Sequence, residues 1–207
     1  MKIERAAWVP DDDPECGWDV AAALAVKWVE AECRRDGSTG VLVLNAFGAD
    51  QTVDALRAFA SRHICTTPRA GRNRVGRGIG PVLAYVPDAR SLDFAMQLAH
   101  GSSIAVVESS HFPLGGWALE LQAVNLWEPD RPVEDVDART REAIDRLHFY
   151  ANNGFGDQFG KKRATSIVRG LRDADLLDRG ALIGALAARG VSDRAMKNLG
   201  QIIDRLH

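Results

Sequence analysis

The stretch VLVLNAFGADQTVDALRAFA, residues 41–60, decides the fold class. Its opening, Val41 to Phe47, is a short continuous apolar run behind a Gly-Ser-Thr-Gly turn, the mark of a strand covered on both faces. Residues 50–63 then carry apolar positions at helical spacing. The stretch PVLAYVPDARSLDFAMQLA, residues 81–99, repeats the plan: a strand, an Asp-containing turn, then a hydroxyl residue and a hydrophobic-Asp pair on the helix. A likeness this short is also what convergent βα-loop chemistry produces, because Asp, Ser and Thr cap the exposed N–H groups of a helix.

Outward from these two units, ICTT (64–67) and SSIAVVES (102–109) read as further strands. Trp18, Ala21, Ala25, Trp28 and Val29 form one stripe of a helix that Asp36 and Gly37 close. Buried strands alternating with amphipathic helices predict a three-layer α/β domain with a mostly parallel sheet of about four to five strands. Residues 115–127 are ambiguous, since Trp117, Leu119 and Leu121 alternate like a strand while ALELQA favours helix. Past Pro129 and Pro132 the pattern is all-helical. Val133, Val136, Ile144 and Leu147 share a stripe that stops at Asn152–Gly154, and further helices are expected over 161–172, over 178–189 and from Ser192. In the last, Met196, Leu199, Ile202, Ile203 and Leu206 make an apolar face that needs a partner surface, either the α/β domain or another subunit. The expected organisation is an N-terminal arm over 1–16, an α/β domain over 17–128 and a helical C-terminal subdomain over 131–207.

A chain of 207 residues, 46% hydrophobic and 26% charged, has material for a sizeable core plus an appendage. A net charge of −2 excludes a surface wholly given to nucleic acid or anionic lipid but leaves room for a local basic patch. Charge is uneven: DDDPE occupies 11–15, whereas no acid lies between Asp54 and Asp88. Three scattered cysteines supply neither a disulfide framework nor a thiolate zinc site. With no leader-like N-terminus and no run of about 20 apolar residues, the expectation is a cytoplasmic protein with no membrane partner.

Four arginines and four glycines crowd PRAGRNRVGRGIGP, residues 68–81. Guanidinium forks at Arg69, Arg72, Arg74 and Arg77 suit phosphate, and glycines such as Gly78 let backbone N–H groups approach it. The bland alternative is a solvated connector. GRGIGP is not a dinucleotide fingerprint, because a strand and not a helix follows it. A second basic site, DQFGKKRATSIV (157–168), has Phe159, Gly160, Ala164 and Ile167 at helix-hairpin-helix spacing, with Lys161, Lys162 and Arg163 adding charge; Gln158 stands where that turn has its first glycine. Three basic residues opening a solvated helix are commonplace.

Asp50, Asp88 and Glu108 fall at or just after strand ends, with His111 three residues past Glu108. Asp88, Glu108 and His111 are therefore candidate metal ligands or acid and base, although Asp50 and Asp88 also read as helix caps. Cys65 is a weak candidate nucleophile, and Trp117 a candidate stacking residue whose commoner role is core. No residue pattern names a cofactor or a metal. The leading reading is a phosphate-recognising module for nucleic acid or nucleotide inside a larger assembly. The alternatives are a small hydrolase or transferase on a phosphate-bearing substrate and a subunit that associates with itself or a protein partner through the C-terminal helices.

Overall fold

The computed structural model describes residues 2–48, 52–71, 80–131 and 135–206. Six strands form one all-parallel sheet: β1 (Arg5–Val9), β2 (Val41–Val43), β3 (Ile64–Thr66), β4 (Val82–Tyr85), β5 (Ser103–Val107) and β6 (Val124–Asn125), in the spatial order β3-β2-β4-β5-β1-β6. Buried parallel strands require crossover connections, and helices supply most of them. They are α1 (Trp18–Asp36) after β1, α2 (Asp54–Ala60) after β2, α3 (Ala89–Leu98) after β4 and α4 (Gly115–Glu120) after β5.

The period-2 alternation of each strand divides the core between the two faces. Ala7, Val9, Leu42, Leu83, Ala105 and Val107 face α1 and α2. Ala6, Trp8, Val41, Val82, Ile104 and Val106 face α3 and α4. The α/β architecture is as expected, though among the described residues the sheet has six strands where the sequence predicts about four to five; one expectation is corrected and one ambiguity is resolved. Residues 1–16 are not an arm, because Arg5–Val9 runs between β5 and β6 in the sheet. Residues 115–127 are neither helix nor strand throughout: α4 comes first, and β6 lies four residues after its end.

The C-terminal residues form α5 (Ala138–Tyr150), α6 (Gln158–Asp173), α7 (Arg179–Ala188) and α8 (Asp193–Asp204). One continuous buried cluster runs from the sheet through Leu92 and Trp117 to Leu147, Val168, Leu186 and Ile203. The face of α8 that needs a partner finds it inside this chain, since Met196, Leu199, Ile202 and Ile203 are buried there. Helix α7 is buried all round and meets α4 backbone to backbone. A Cβ on Gly116 would stand 2.1 Å from the Ala181 carbonyl oxygen, and one on Gly184 2.7 Å from the Trp117 nitrogen. Only glycine permits that approach. Trp117, expected in the core or at a ligand, is wholly buried, and its Nε1–H points at the Met96 sulfur 3.4 Å away. Among the described residues no helix is long and apolar enough to cross a membrane.

Candidate functional site at the carboxyl edge of the sheet

In an open parallel sheet a crevice forms beyond the carboxyl ends of neighbouring strands whose following connections leave to opposite faces. Strand β1 sends its chain to α1 on one face, and the adjacent β5 sends its chain to α4 on the other. At that junction lies a cleft of about 460 Å³. Register builds its floor. Trp8 pairs with Val106 on β5 and with Asn125 on β6, so Trp8 and Asn125 share one face, and Glu108, two residues past Val106, lies diagonally beside them. The N-terminal ends of α4 and α7 and the start of α5 close the sides, contributing Gly116, Asp178, Ala181, Asp137 and Thr140.

Glu108 is only 8% exposed. Burial is the main force raising its carboxyl pKa, to about 8; Asp12 and Asp11 push the same way, and the Leu114 N–H, donating to the carboxyl, pulls against them. Its Oε2 has no hydrogen-bond partner. Among the described residues three buried side-chain polar atoms are orphaned in this way, Trp8 Nε1, Ser38 Oγ and Glu108 Oε2, and two of the three belong to residues of this cleft. Buried polar groups in folded proteins are normally paired, so two orphans in one cleft mark a place prepared for something else. Asn125 turns its Oδ1 to the Trp127 and Glu128 N–H groups at 2.9 and 3.0 Å, so its Nδ2 amide is the remaining donor.

The rim is acidic. Asp12, Asp135, Asp137 and Asp178 join Glu108, against Arg131 as the basic residue of the lining. The run at 11–13 folds over the strand ends: Asp11 accepts from the Ser110 N–H at 2.7 Å, Asp12 faces Arg131 at 3.4 Å and Asp13 accepts from the Trp127 indole at 2.9 Å. Asp137 and Asp178 cap α5 and α7, accepting from the N–H groups of Arg139 and Ala181, and Asp135 pairs with Arg141. Among the described residues no group of three His, Cys, Asp or Glu is placed to hold a metal ion.

Of the expected acid and base set, the cleft contains Glu108 and neither Asp88 nor His111. Asp88 caps α3, accepting from the Ser91 N–H at 2.8 Å, and His111 is exposed. Arg69 is exposed in the turn after β3, the edge strand, three strands from β5 and so about 14 Å across the sheet. Arg72, Arg74, Arg77 and Gly78 lie outside the described residues, as does Asp50. Lys161, Lys162 and Arg163 are exposed on the first turns of α6. The Gly160 N–H, which the helix-hairpin-helix spacing would aim at a phosphate, donates to Asp157 at 2.7 Å. Cys65 is half-buried in β3. Trp8, Asp12, Asn125 and Arg131 are cleft residues that the sequence motifs do not single out. The carboxylate run directly behind a short apolar stretch is a signal for Trp8 and Asp12, and no local pattern marks Asn125 or Arg131.

A second junction of this kind, between β2 and β4, opens a cleft of about 490 Å³ lined by Trp18, Asn45, Val53 and Tyr85. Asn45 is satisfied there, donating to the Val86 carbonyl at 2.8 Å and accepting from the Asp88 N–H at 3.2 Å. Compared with protein-family models, with curated proteins and with solved structures, the chain matches none.

Proposed function

We propose that the β1/β5/β6 cleft is the active site of a small enzyme that works by general acid–base catalysis on a small polar molecule, with Glu108 moving the proton. The observation that carries this reading is the buried, unpartnered Oε2 of Glu108, a residue that lines a cleft at a topological switch point. A carboxyl whose pKa burial raises to about 8 lies close enough to neutral pH to give up a proton or take one, according to what enters the cleft, which suits it to move a proton. Glycines and small residues along the α4/α7 wall leave the room, while Trp8 and Asn125 supply donors that orient an oxygen.

A mixture of natural small molecules serves as the substrate pool for the test. Wild-type protein and Glu108→Gln are incubated with a metabolite extract, and species consumed and formed are followed by mass spectrometry. The expected result is at least one conversion present with wild type and lowered by about 10²-fold or more in the variant. Identical profiles would overturn the reading.

A second reading, phosphate or nucleic-acid recognition, is supported by a different surface. Residues 55–87 hold six arginines and no acid. Separately, Phe149 and Phe159 are 73% and 64% exposed. They belong to one strip: Phe149 meets Tyr150 edge-on at 5.3 Å, and Arg163 lies 5.9 Å over Tyr150 and 5.1 Å over Phe159. Exposed rings beside Lys161 and Lys162 are what unpaired bases and their phosphates require. Anisotropy of a labelled single-stranded oligonucleotide should fall steeply with salt, and replacing Arg72, Arg74 and Arg77 together should flatten the slope. Absent or salt-insensitive binding would remove this reading.

A further inference from the structure

The groups that the cleft leaves unsatisfied describe the ligand that suits it. Among the described residues an anion entering would meet five carboxyl groups and Arg131, which already faces Asp12 at 3.4 Å and Glu128 at 3.0 Å. Asp135 is likewise engaged by Arg141, and Asp137 and Asp178 by the helix N–H groups they cap, so Glu108 is the acid of the lining that keeps a buried, unpaired oxygen. An apolar ligand would leave Trp8 Nε1 and Glu108 Oε2 as unpaired as they already are, relieving none of the about 1–3 kcal/mol that each such group costs, whereas a polar ligand that pairs them would recover it. A bare metal ion finds no trio of ligating side chains among the described residues. What remains is an organic cation with its own N–H donors, together with an acceptor for the indole.

We infer that the ligand of this cleft is a small amine that also carries a hydroxyl or carbonyl oxygen, the ammonium received by Glu108 and its neighbouring aspartates and the oxygen by the Trp8 N–H. The inference rests on the cleft being the functional site and adds the chemical class of what enters it. A volume of about 460 Å³ is at the small end of ligand pockets, which fits a single sugar-sized or aryl-sized molecule.

Electrostatics supply a consequence that a merely polar ligand would not have. The charges that act on Glu108 are Asp12 and Asp11 from the segment after β1, and the Leu114 N–H at the start of α4 donates to it. Arg131, Asp135 and Asp137 from the segment before α5 and Asp178 ahead of α7 line the same cleft. In the free protein burial and the two aspartates hold Glu108 protonated up to about pH 8. An ammonium beside it favours the carboxylate, so binding expels a proton below that pH, and affinity rises as pH approaches 8 from below.

Matched triads of probes separate the outcomes with the full chain. Glucosamine, glucose and glucuronate form one triad. Tyramine, 4-hydroxyphenethyl alcohol and 4-hydroxyphenylacetate form another; 4-aminobutanol, 1,4-butanediol and 4-hydroxybutyrate form a third. By ligand-observed NMR and calorimetry, at least one amine should bind about tenfold or more tightly than its neutral and acidic partners. Its heat in two buffers of different ionisation enthalpy should report proton release at pH 6.5 that Glu108→Gln abolishes. Asp12→Asn, at the half-exposed rim, should weaken that amine several-fold without unfolding the protein. An acid or neutral member that binds best, or no amine that binds at all, overturns the inference. The wider reading fails separately: a Glu108→Gln protein whose metabolite conversions are unchanged takes down the cleft as active site, whatever the probes do.

Discussion

Two buried glutamates stand at opposite ends of the sheet and are treated in opposite ways. Glu32, on α1, accepts from Arg5 at 2.6 Å, from Arg35 at 2.7 Å and from the Ser103 hydroxyl at 2.8 Å, tying β1, α1 and β5 together at the amino edge. Glu108, at the carboxyl edge, has Oε2 unpaired. Removing Glu32 takes the acceptor from the buried Ser103 hydroxyl but leaves two half-exposed arginines, one still paired with Asp36, so Glu32→Ala should cost about 1–2 kcal/mol, read by urea denaturation. Glu108→Gln should do the reverse. The folded pKa of about 8 is above the 4.5 of a free glutamate, so between these values the unfolded chain is ionised while the folded one is not. The contribution of Glu108 to stability therefore falls as pH rises from about 4.5 to about 8, by up to a few kcal/mol, and is constant above. Glu108→Gln lacks this loss, so it should match wild type near pH 4.5 and exceed it at pH 8.5. Parallel curves for the two proteins would mean that Glu108 ionises freely in the folded state. A carboxylate behind a strand end is what makes Glu108 readable from sequence, and Asp88 shows the limit of that signal. Both follow strands; Asp88 is followed three residues on by the N–H of Ser91, to which its side chain is committed. Sequence spacing does not separate a cap from a proton carrier, because burial decides between them.

At the scale of elements, the readable parts are those long enough to show a period. Three strands and the helices around them follow from apolar runs of four or more residues and from 3.6-residue stripes, and β3 from the shorter ICTT. β6, with two residues, is shorter than any period, and Arg5–Val9, a five-residue run between charged segments, resembles a tail. With β1 hidden, Trp8 is hidden too, and half of the cleft floor with it. The crossing of α4 on α7 is concealed for another reason: its glycines look like helix weaknesses until a second helix lies against them. That contrast makes a paired prediction. Gly184→Ala would press a Cβ to 2.7 Å from the Trp117 backbone nitrogen, which cannot swing away, so the helices must part, at a cost of about 2 kcal/mol or more. Gly170→Ala, inside α6 with nothing within 4 Å of the new methyl, should instead stabilise by about 0.5–1 kcal/mol. In a chain of this size these shifts correspond to a melting temperature lower by roughly 4–8 °C in the first case and higher by about 1–4 °C in the second. A Gly184→Ala that stabilises as Gly170→Ala is expected to would show that α4 and α7 are not in backbone contact.

For the whole molecule, the composition shift after Pro132 suggests a separate helical subdomain, while the packing argues for shared stability. Helix α7 has no solvent-facing side that would let it stand apart from α4, and its buried neighbours are continuous with strands β1, β4 and β5. The Arg189 guanidinium adds a polar tie, donating to Glu120 on α4 at 2.8 and 2.9 Å and to Asp145 on α5 at 2.6 Å. Cutting the chain near residue 130 would expose Trp117, Leu114 and Ala118 on one piece and the apolar circumference of α7 on the other. Neither piece should fold alone, and the intact chain should melt in one step. Trp8 and Trp117 lie in the shared cluster and report on it directly. Their fluorescence and the far-ultraviolet helical signal should change at one denaturant concentration, and a fragment ending at residue 130 should lack both the sigmoidal transition and the buried-tryptophan emission. Two resolved transitions, with the tryptophan signal confined to one, would restore the helical region as an independent unit. The same outcome would remove Asp135, Asp137, Thr140 and Asp178 from any cleft formed by the α/β part alone, since each comes from the C-terminal side of that cut. Cooperative unfolding and the proposed cleft thus go together: the residues that close it are in or beside the helices that complete the core.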